Sequence, residues 1–133
     1  MSAEGATYLD SSALVKFVVR EPETPALLAH VRDRNRMVSS ALASVEVVRA
    51  VRQLAPAEVG SARQMLQGLN VVPLNEALLK AAADLEDPAV RALDAIHVAA
   101  AASLASELRE VVTYDRRMAD AAAALGLAVA QPA

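Results

Sequence analysis

The chain predicts an α/β fold: a short parallel sheet with helices on both faces, in three layers. Brief runs rich in β-branched residues alternate with longer helical segments from end to end. That alternation is the signature of parallel strands joined by helical crossovers and covered on both sides. No internal repeat, linker or low-complexity boundary interrupts it, so residues 1–133 are expected to form one domain. Residues 1–5 are expected as a flexible N-terminal arm.

Taken in order, the strand candidates are Thr7–Leu9, Met37–Ser39, Asn70–Pro73, Glu110–Thr113 and Leu127–Ala130. The helical segments between them are Ser12–Arg20, Pro25–Arg34, Ala41–Leu54, Ala57–Leu66, Glu76–Leu85, Ala92–Leu108 and Arg116–Leu125. Asn75 before Glu76 reads as an N-cap, and Ser40 reads as a cap for the long helix that follows it. Gly68 follows one helix, Asp87-Pro88 interrupts another, and Gly126 stands where a C′ glycine belongs. The Ala-rich patches are helix interiors, because alanine favours helix and permits close packing.

Composition narrows the function. Hydrophobic residues make up 55% of the chain and charged residues 22%, which suits a soluble globular domain. Aromatic residues are only 2%, so base-stacking platforms are not the main route to nucleic acid. The net charge is −3, from 13 Lys and Arg against 16 Asp and Glu, so no global basic field advertises a polyanionic partner. A local acidic metal site that handles phosphates through its cations stays open. With no cysteine, disulfides and thiolate zinc sites are excluded. Residues 1–6 are too short and polar for a signal peptide. The most apolar stretch, Val98 to Ala105, falls well short of the roughly 18 residues of a membrane span. A cytoplasmic protein with no membrane contact is the expectation.

Four acids sit in aliphatic surroundings: Asp10 after Thr7-Tyr8-Leu9, Glu46 in Ser44-Val45-Glu46-Val47-Val48, Asp94 in Leu93-Asp94-Ala95-Ile96-His97, and Asp115 after Val111-Val112-Thr113-Tyr114. A carboxylate among apolar residues is expensive to bury unless something positive meets it. Asp10 and Asp115 both close a strand and precede a helix, the edge at which open α/β sheets bind ligands. If the first and fourth strands are neighbours, the two carboxylates face each other. Either could also be an ordinary helix N-cap.

Asp94 shares its helical face with His97, Val98, Ala101 and Ala105, and a helix apolar nearly all round is a buried one. The helix dipole contributes less than about 1 kcal/mol there, so Asp94 needs a metal, a base such as Arg91, or a proton. Spacing alone puts Glu46 on the surface, paired with Arg49 one turn on. His97 reads as a satisfied core residue, and His30 carries no signal. Ser12 and Thr113 stand close to strand-end acids, where a hydroxyl could hold a carboxylate or bond locally to backbone. Arg116 and Arg117 are either solvated or near substrate phosphates. Asp120, Glu107 and Glu110 look like solvated charges. A Gly-rich phosphate loop, a serine nucleophile elbow and a His-Glu-x-x-His motif are all absent.

Together, the segments Tyr8 to Lys16, Ser44 to Val47, Leu93 to Ala101 and Val112 to Met118 resemble PIN-domain ribonucleases, and among these the VapC toxins of VapBC-type toxin–antitoxin pairs. The closing Ala121-Ala122 and Leu125 to Val129 fit as well. Each block alone is weak, but four in order over nearly the whole chain make a specific signal. The resemblance implies a PIN-like α/β/α domain whose clustered acids bind Mg²⁺ or Mn²⁺. It puts the family's acids on Asp10, Glu46, Asp94 and Asp115 and its hydroxyl on Thr113, with Ser12 as a further candidate. Glu46 is thereby raised from the surface role that spacing assigned.

The implied activity is metal-dependent hydrolysis of RNA phosphodiester bonds, leaving a 5′-phosphate and a 3′-hydroxyl. The implied partners are RNA, a cognate VapB-type antitoxin and a second copy of the chain, with the early helices around Leu14, Val18 and Leu28 expected at an interface. An RNA-processing nuclease without an antitoxin and a non-catalytic PIN-like binding module are the alternatives.

Overall fold

The computed structural model describes residues 5–133. The expected N-terminal arm therefore falls, except for Gly5, outside the described residues. The strands are Ala6–Leu9 (β1), Met37–Ser40 (β2), Asn70–Val72 (β3), Leu108–Val112 (β4) and Val129–Ala130 (β5). They form one five-stranded sheet in the order β3-β2-β1-β4-β5. Every neighbouring pair is parallel. The chain steps outward from β1 to β2 and β3, then returns to the other side of β1 with β4. Strand order thus reverses between β1 and β4, and a crevice opens at their carboxyl ends. Leu9 pairs with Val112 in register, and the Asp10 N–H donates to the Val112 carbonyl at 3.3 Å. The condition placed on the first and fourth strands is met.

The helices are Ser11–Val18 (α1), Thr24–Val31 (α2), Ala43–Leu54 (α3), Val59–Gln67 (α4), Glu76–Ala83 (α5), Ala92–Ala102 (α6) and Arg116–Ala124 (α7). Successive strand side chains point to opposite faces, so Leu9 and Tyr8 belong to different cores. On one face Leu9 and Val112 meet Leu14, Leu27, Val47 and Val51 of α1 to α3. On the other, Tyr8, Val38 and Val111 meet Leu78, Val98, Ala101 and Met118 of α5 to α7. Each fully buried Leu or Val in these layers stabilises the fold by about 1.5–3 kcal/mol. The small side chains of α6 bury nearly its whole length after Ala95, which fixes the start of that helix, and Asp94 with it, beside the sheet.

Several local expectations hold. The Asn75 side chain caps α5 by accepting from the Leu78 N–H at 2.9 Å. Gly126, with φ 81°, takes the left-handed conformation that ends α7.

Others are corrected. Ser40 ends β2, and its hydroxyl accepts from the Leu42 N–H at 2.9 Å, while Leu42 itself holds the cap position of α3. The helix expected to reach Leu108 stops at Ala102. There the Ser103 hydroxyl donates to the Ala100 carbonyl at 2.6 Å, and Ala105 turns the chain with φ 50°. A left-handed alanine costs about 1–2 kcal/mol, so propensity points the wrong way at this turn. Leu14 is fully buried and cannot front an interface, whereas Leu28 is 44% exposed.

Glu110 is not a solvated charge. It is buried on β4, where one oxygen accepts from Thr7 Oγ1 at 2.8 Å and Arg34 Nε at 2.9 Å. The other pairs with His30 Nε2 at 2.8 Å. Burial pushes the Glu110 carboxyl up, but these three partners outweigh it and hold it below its ordinary value. His30 therefore has a structural role that its sequence surroundings did not show.

Candidate active site

Asp10 is the anchor of the site. It leaves β1 at the strand-order reversal and is only 3% exposed. Its Oδ1 accepts from the Ser12 hydroxyl at 2.6 Å and the Ala13 N–H at 3.1 Å, and Oδ2 accepts from the Thr113 hydroxyl at 2.6 Å. Asp10 is thus the N-cap of α1 as well, so the capping reading is true alongside any other. Burial pushes its carboxyl above the usual carboxylate range, and the hydroxyls of Ser12 and Thr113 partly oppose that. The two hydroxyls also tie β4 to β1. Ser12 accepts from the Tyr114 N–H at 2.9 Å, and Thr113 accepts from the Asp115 N–H at 3.0 Å.

Glu46 does not pair with Arg49. Its Oε1 accepts from the Ser11 hydroxyl at 2.6 Å and meets His97 Nε2 at 2.7 Å. Burial raises the Glu46 carboxyl, but the hydrogen bonds from His97 and Ser11 more than offset it and leave it below the ordinary value. The spacing argument failed because α3 turns its Glu46 side toward α1 and α6 rather than toward water.

Asp94 and Asp115 complete the group. Asp115 caps α7, its Oδ1 accepting from the Arg117 and Met118 N–H groups at 2.9 and 3.3 Å. Asp94 is partly buried, less so than its aliphatic neighbours suggested. It accepts no hydrogen bond among the described residues, and Arg91 does not pair with it. Burial raises its carboxyl first, and the negative charges of Asp115, Asp10 and Glu46 raise it further. Asp94 therefore registers all three other acids as neighbours. Arg116 and Arg117 lie exposed beside Asp115.

As they stand, no three Asp, Glu or His side chains among the described residues are close enough to hold a metal ion between them. The donor set nevertheless suits a hard cation, which takes carboxylate oxygens. Glu46 Oε2, Asp115 Oδ2 and both oxygens of Asp94 take no protein hydrogen bond among the described residues, while the repulsion on Asp94 is what a cation would relieve. A surface cavity of ≈ 450 Å³ lies elsewhere, between α5 and α6 around Val72, Leu78, Leu85 and Ala99. None of the four acids lines it. The chemistry sits on the open carboxyl edge of the sheet.

Residues 7–124, a span that holds all four acids, match the PIN domain family. The chain belongs to the PIN-domain family. It is 45% identical to Ribonuclease VapC46 of Mycobacterium tuberculosis (strain ATCC 25618 / H37Rv), over 96% of this chain and 98% of that one. It is 40% identical to Ribonuclease VapC35 of the same strain, over 94% and 96%. Ribonuclease VapC47 of strain CDC 1551 / Oshkosh is 36% identical over the same shares.

This PIN domain also recruits residues that sequence reasoning set aside. Ser11 and His97 both hold Glu46, and Tyr8 holds His97 through a 2.7 Å contact between its hydroxyl and Nδ1. A signal existed for His97, three residues after Asp94 on one helical face. For Tyr8 the only hint was a phenol in a strand buried on both sides, whose hydroxyl must find a partner. Naming that partner required knowing that α6 covers this face. Among the described residues of the PIN domain, no helix is long and apolar enough to cross a membrane.

Proposed function

We propose that this PIN domain is a metal-dependent endoribonuclease and the toxin of a toxin–antitoxin pair. The observation that carries the reading is that Asp94, raised first by burial, is raised further by the charges of Asp115, Asp10 and Glu46, the two aspartates standing at the β1/β4 strand reversal. The VapC ribonucleases it matches over nearly their full length support it. Their name also supports an RNA substrate and a VapB-type antitoxin as partners, and a homodimer is part of the same proposal.

Asp10, Glu46, Asp94 and Asp115 would hold Mg²⁺ or Mn²⁺, with Asp10 kept in place by Ser12, Thr113 and the Ala13 N–H. When bound, the cation supplies neutralisation of phosphate charge and Lewis acidity. The protein supplies the rest. Thr113 orients Asp10 Oδ2, and the capping bonds orient Asp115 Oδ1. Asp94 accepts no protein hydrogen bond among the described residues, so an oxygen not taken by the cation would be open to accept a proton from an attacking water. The water oxygen bonds to phosphorus, the P–O3′ bond breaks, and the 3′ oxygen takes its proton from solvent water on the open edge of the site. The products are a 5′-phosphate and a 3′-hydroxyl. Arg116 and Arg117, exposed beside Asp115, would meet neighbouring phosphates.

Purified protein in Mg²⁺ or Mn²⁺ should cleave RNA, and Asp10→Asn or Asp94→Asn should stop cleavage while leaving the fold intact. Cutting that survives both substitutions, or excess EDTA, would rule the reading out. The separation of the acids in this arrangement favours a second reading, a PIN-like binding module without catalysis. A calorimetric titration with Mn²⁺ separates the two, since saturable binding belongs to the nuclease alone.

A further inference from the structure

We propose that Tyr8 and His97 form a buried relay that positions the Glu46 carboxylate, making His97 a positioning residue of the cleavage centre. This rests on the nuclease reading of the four acids. His97 is 3% exposed and Tyr8 fully buried. Their rings meet edge to face, with centroids 5.9 Å apart and planes at 72°. The Tyr8 hydroxyl lies 2.7 Å from Nδ1 and Glu46 Oε1 lies 2.7 Å from Nε2. An ionised carboxylate can only accept, so Nε2 carries a proton toward Glu46. The phenol then donates to Nδ1, which selects that tautomer.

The relay joins three elements. Tyr8 is on β1, two residues before Asp10, and His97 is on α6, three residues after Asp94. Glu46 is on α3. Ser11 donates to the same Oε1 at 2.6 Å, so both donors pull one oxygen inward and leave Oε2 for the site. A core contact alone would need neither nitrogen. Leucine or methionine would fill the space at lower desolvation cost. The chain from Tyr8 to Glu46 thus has the form of the outer contacts that orient carboxylate ligands, whose loss typically costs about 10–100-fold in metal affinity or activity.

The test compares His97→Leu, His97→Gln and Tyr8→Phe with wild type, each first checked for cooperative unfolding. His97→Leu should lower kcat and weaken Mn²⁺ binding by about 10–100-fold, with KM for RNA little changed. His97→Gln, which keeps a donor near the Nε2 position, should recover much of that loss. Tyr8→Phe should act in the same direction more weakly, and add little to His97→Leu. Imidazole ¹⁵N spectra of the metal-free protein should show a protonated Nε2 whose signal moves in both Glu46→Gln and Tyr8→Phe. A folded His97→Leu protein with wild-type kcat and Mn²⁺ affinity overturns the relay, as does a ring signal indifferent to Glu46→Gln. A wild-type protein that neither binds Mn²⁺ nor cuts RNA overturns the nuclease reading and the relay's purpose with it. That result is distinguished by appearing before any substitution is made.

Discussion

Thr113→Val isolates the hydroxyl that joins Asp10 to Asp115. Valine has nearly the volume of threonine, so no cavity opens and, beside a 3.4 Å contact with Ser12 Oγ, the change is confined to two short hydrogen bonds. One is the 2.6 Å donation to Asp10 Oδ2, and the other the 3.0 Å acceptance from the Asp115 N–H. A bond to a charged group contributes about 1.5–3 kcal/mol. An amide stripped of its acceptor inside a fully buried site costs about 1–3 kcal/mol. Some relaxation by water at the Asp115 side is available, so a net loss of roughly 3 kcal/mol is expected.

The loss should also depend on pH. Thr113 is one of the groups holding the Asp10 carboxyl down against burial. Removing it raises the folded-state value further above the unfolded one. A carboxyl raised on folding contributes stability below its unfolded value and loses it as pH rises through the folded value. Thr113→Val should therefore be more damaging at pH 8 than at pH 5. Urea denaturation of metal-free protein at both values measures this, with Thr113→Ser as the control that restores the hydroxyl. A loss under about 1 kcal/mol, equal at both pH values, would refute the claim that the hydroxyl supports a buried carboxylate.

Asp94→Asn removes a carboxyl raised by burial and by Asp115, Asp10 and Glu46. It should stabilise the metal-free protein at pH 8 by on the order of 1 kcal/mol or less, given its partial exposure, and less at pH 5, while abolishing cleavage. Thermal melts at the two pH values check the sign. Glu110→Gln breaks the buried network with Arg34, His30 and Thr7, at a cost of about 3 kcal/mol. Because Glu110 is lowered on folding, its contribution exists above the unfolded value and is lost as pH falls through the folded one. The variant's acid unfolding should be correspondingly flatter, and its RNA cleavage at low temperature retained. Gly126→Ala meets no steric obstacle but must adopt φ 81°. Chemical denaturation should show a loss of about 1–2 kcal/mol.

The alternation of strand and helix, and the chain positions of Asp10 and Asp115 at strand ends, were legible because strand and helix periods are local properties. Sheet order is not local, yet the acids are neighbours only because β4 returns beside β1. Burial misled in both directions. Asp94 looked the most deeply enclosed by its aliphatic flanks, but Asp10 is the buried one and Asp94 stays partly open to water. Glu46, His30 and Glu110 were misjudged for one reason: the partners in their carboxylate contacts lie 35 to 103 residues away in sequence. No spacing rule on a single helix or strand can reach so far. The early end of α6 was hidden because Ser103 and a left-handed Ala105 stop a run whose composition favours helix.

The central claim is that these four acids cut RNA. The measurement that tests it most directly is sequencing of RNA 5′ ends after expression of the wild-type chain beside an Asp10→Asn control. New 5′-phosphate ends at discrete positions, absent with Asp10→Asn, are the predicted result. Identical ends in both samples, or none in either while the wild-type protein is present and folded, would contradict it.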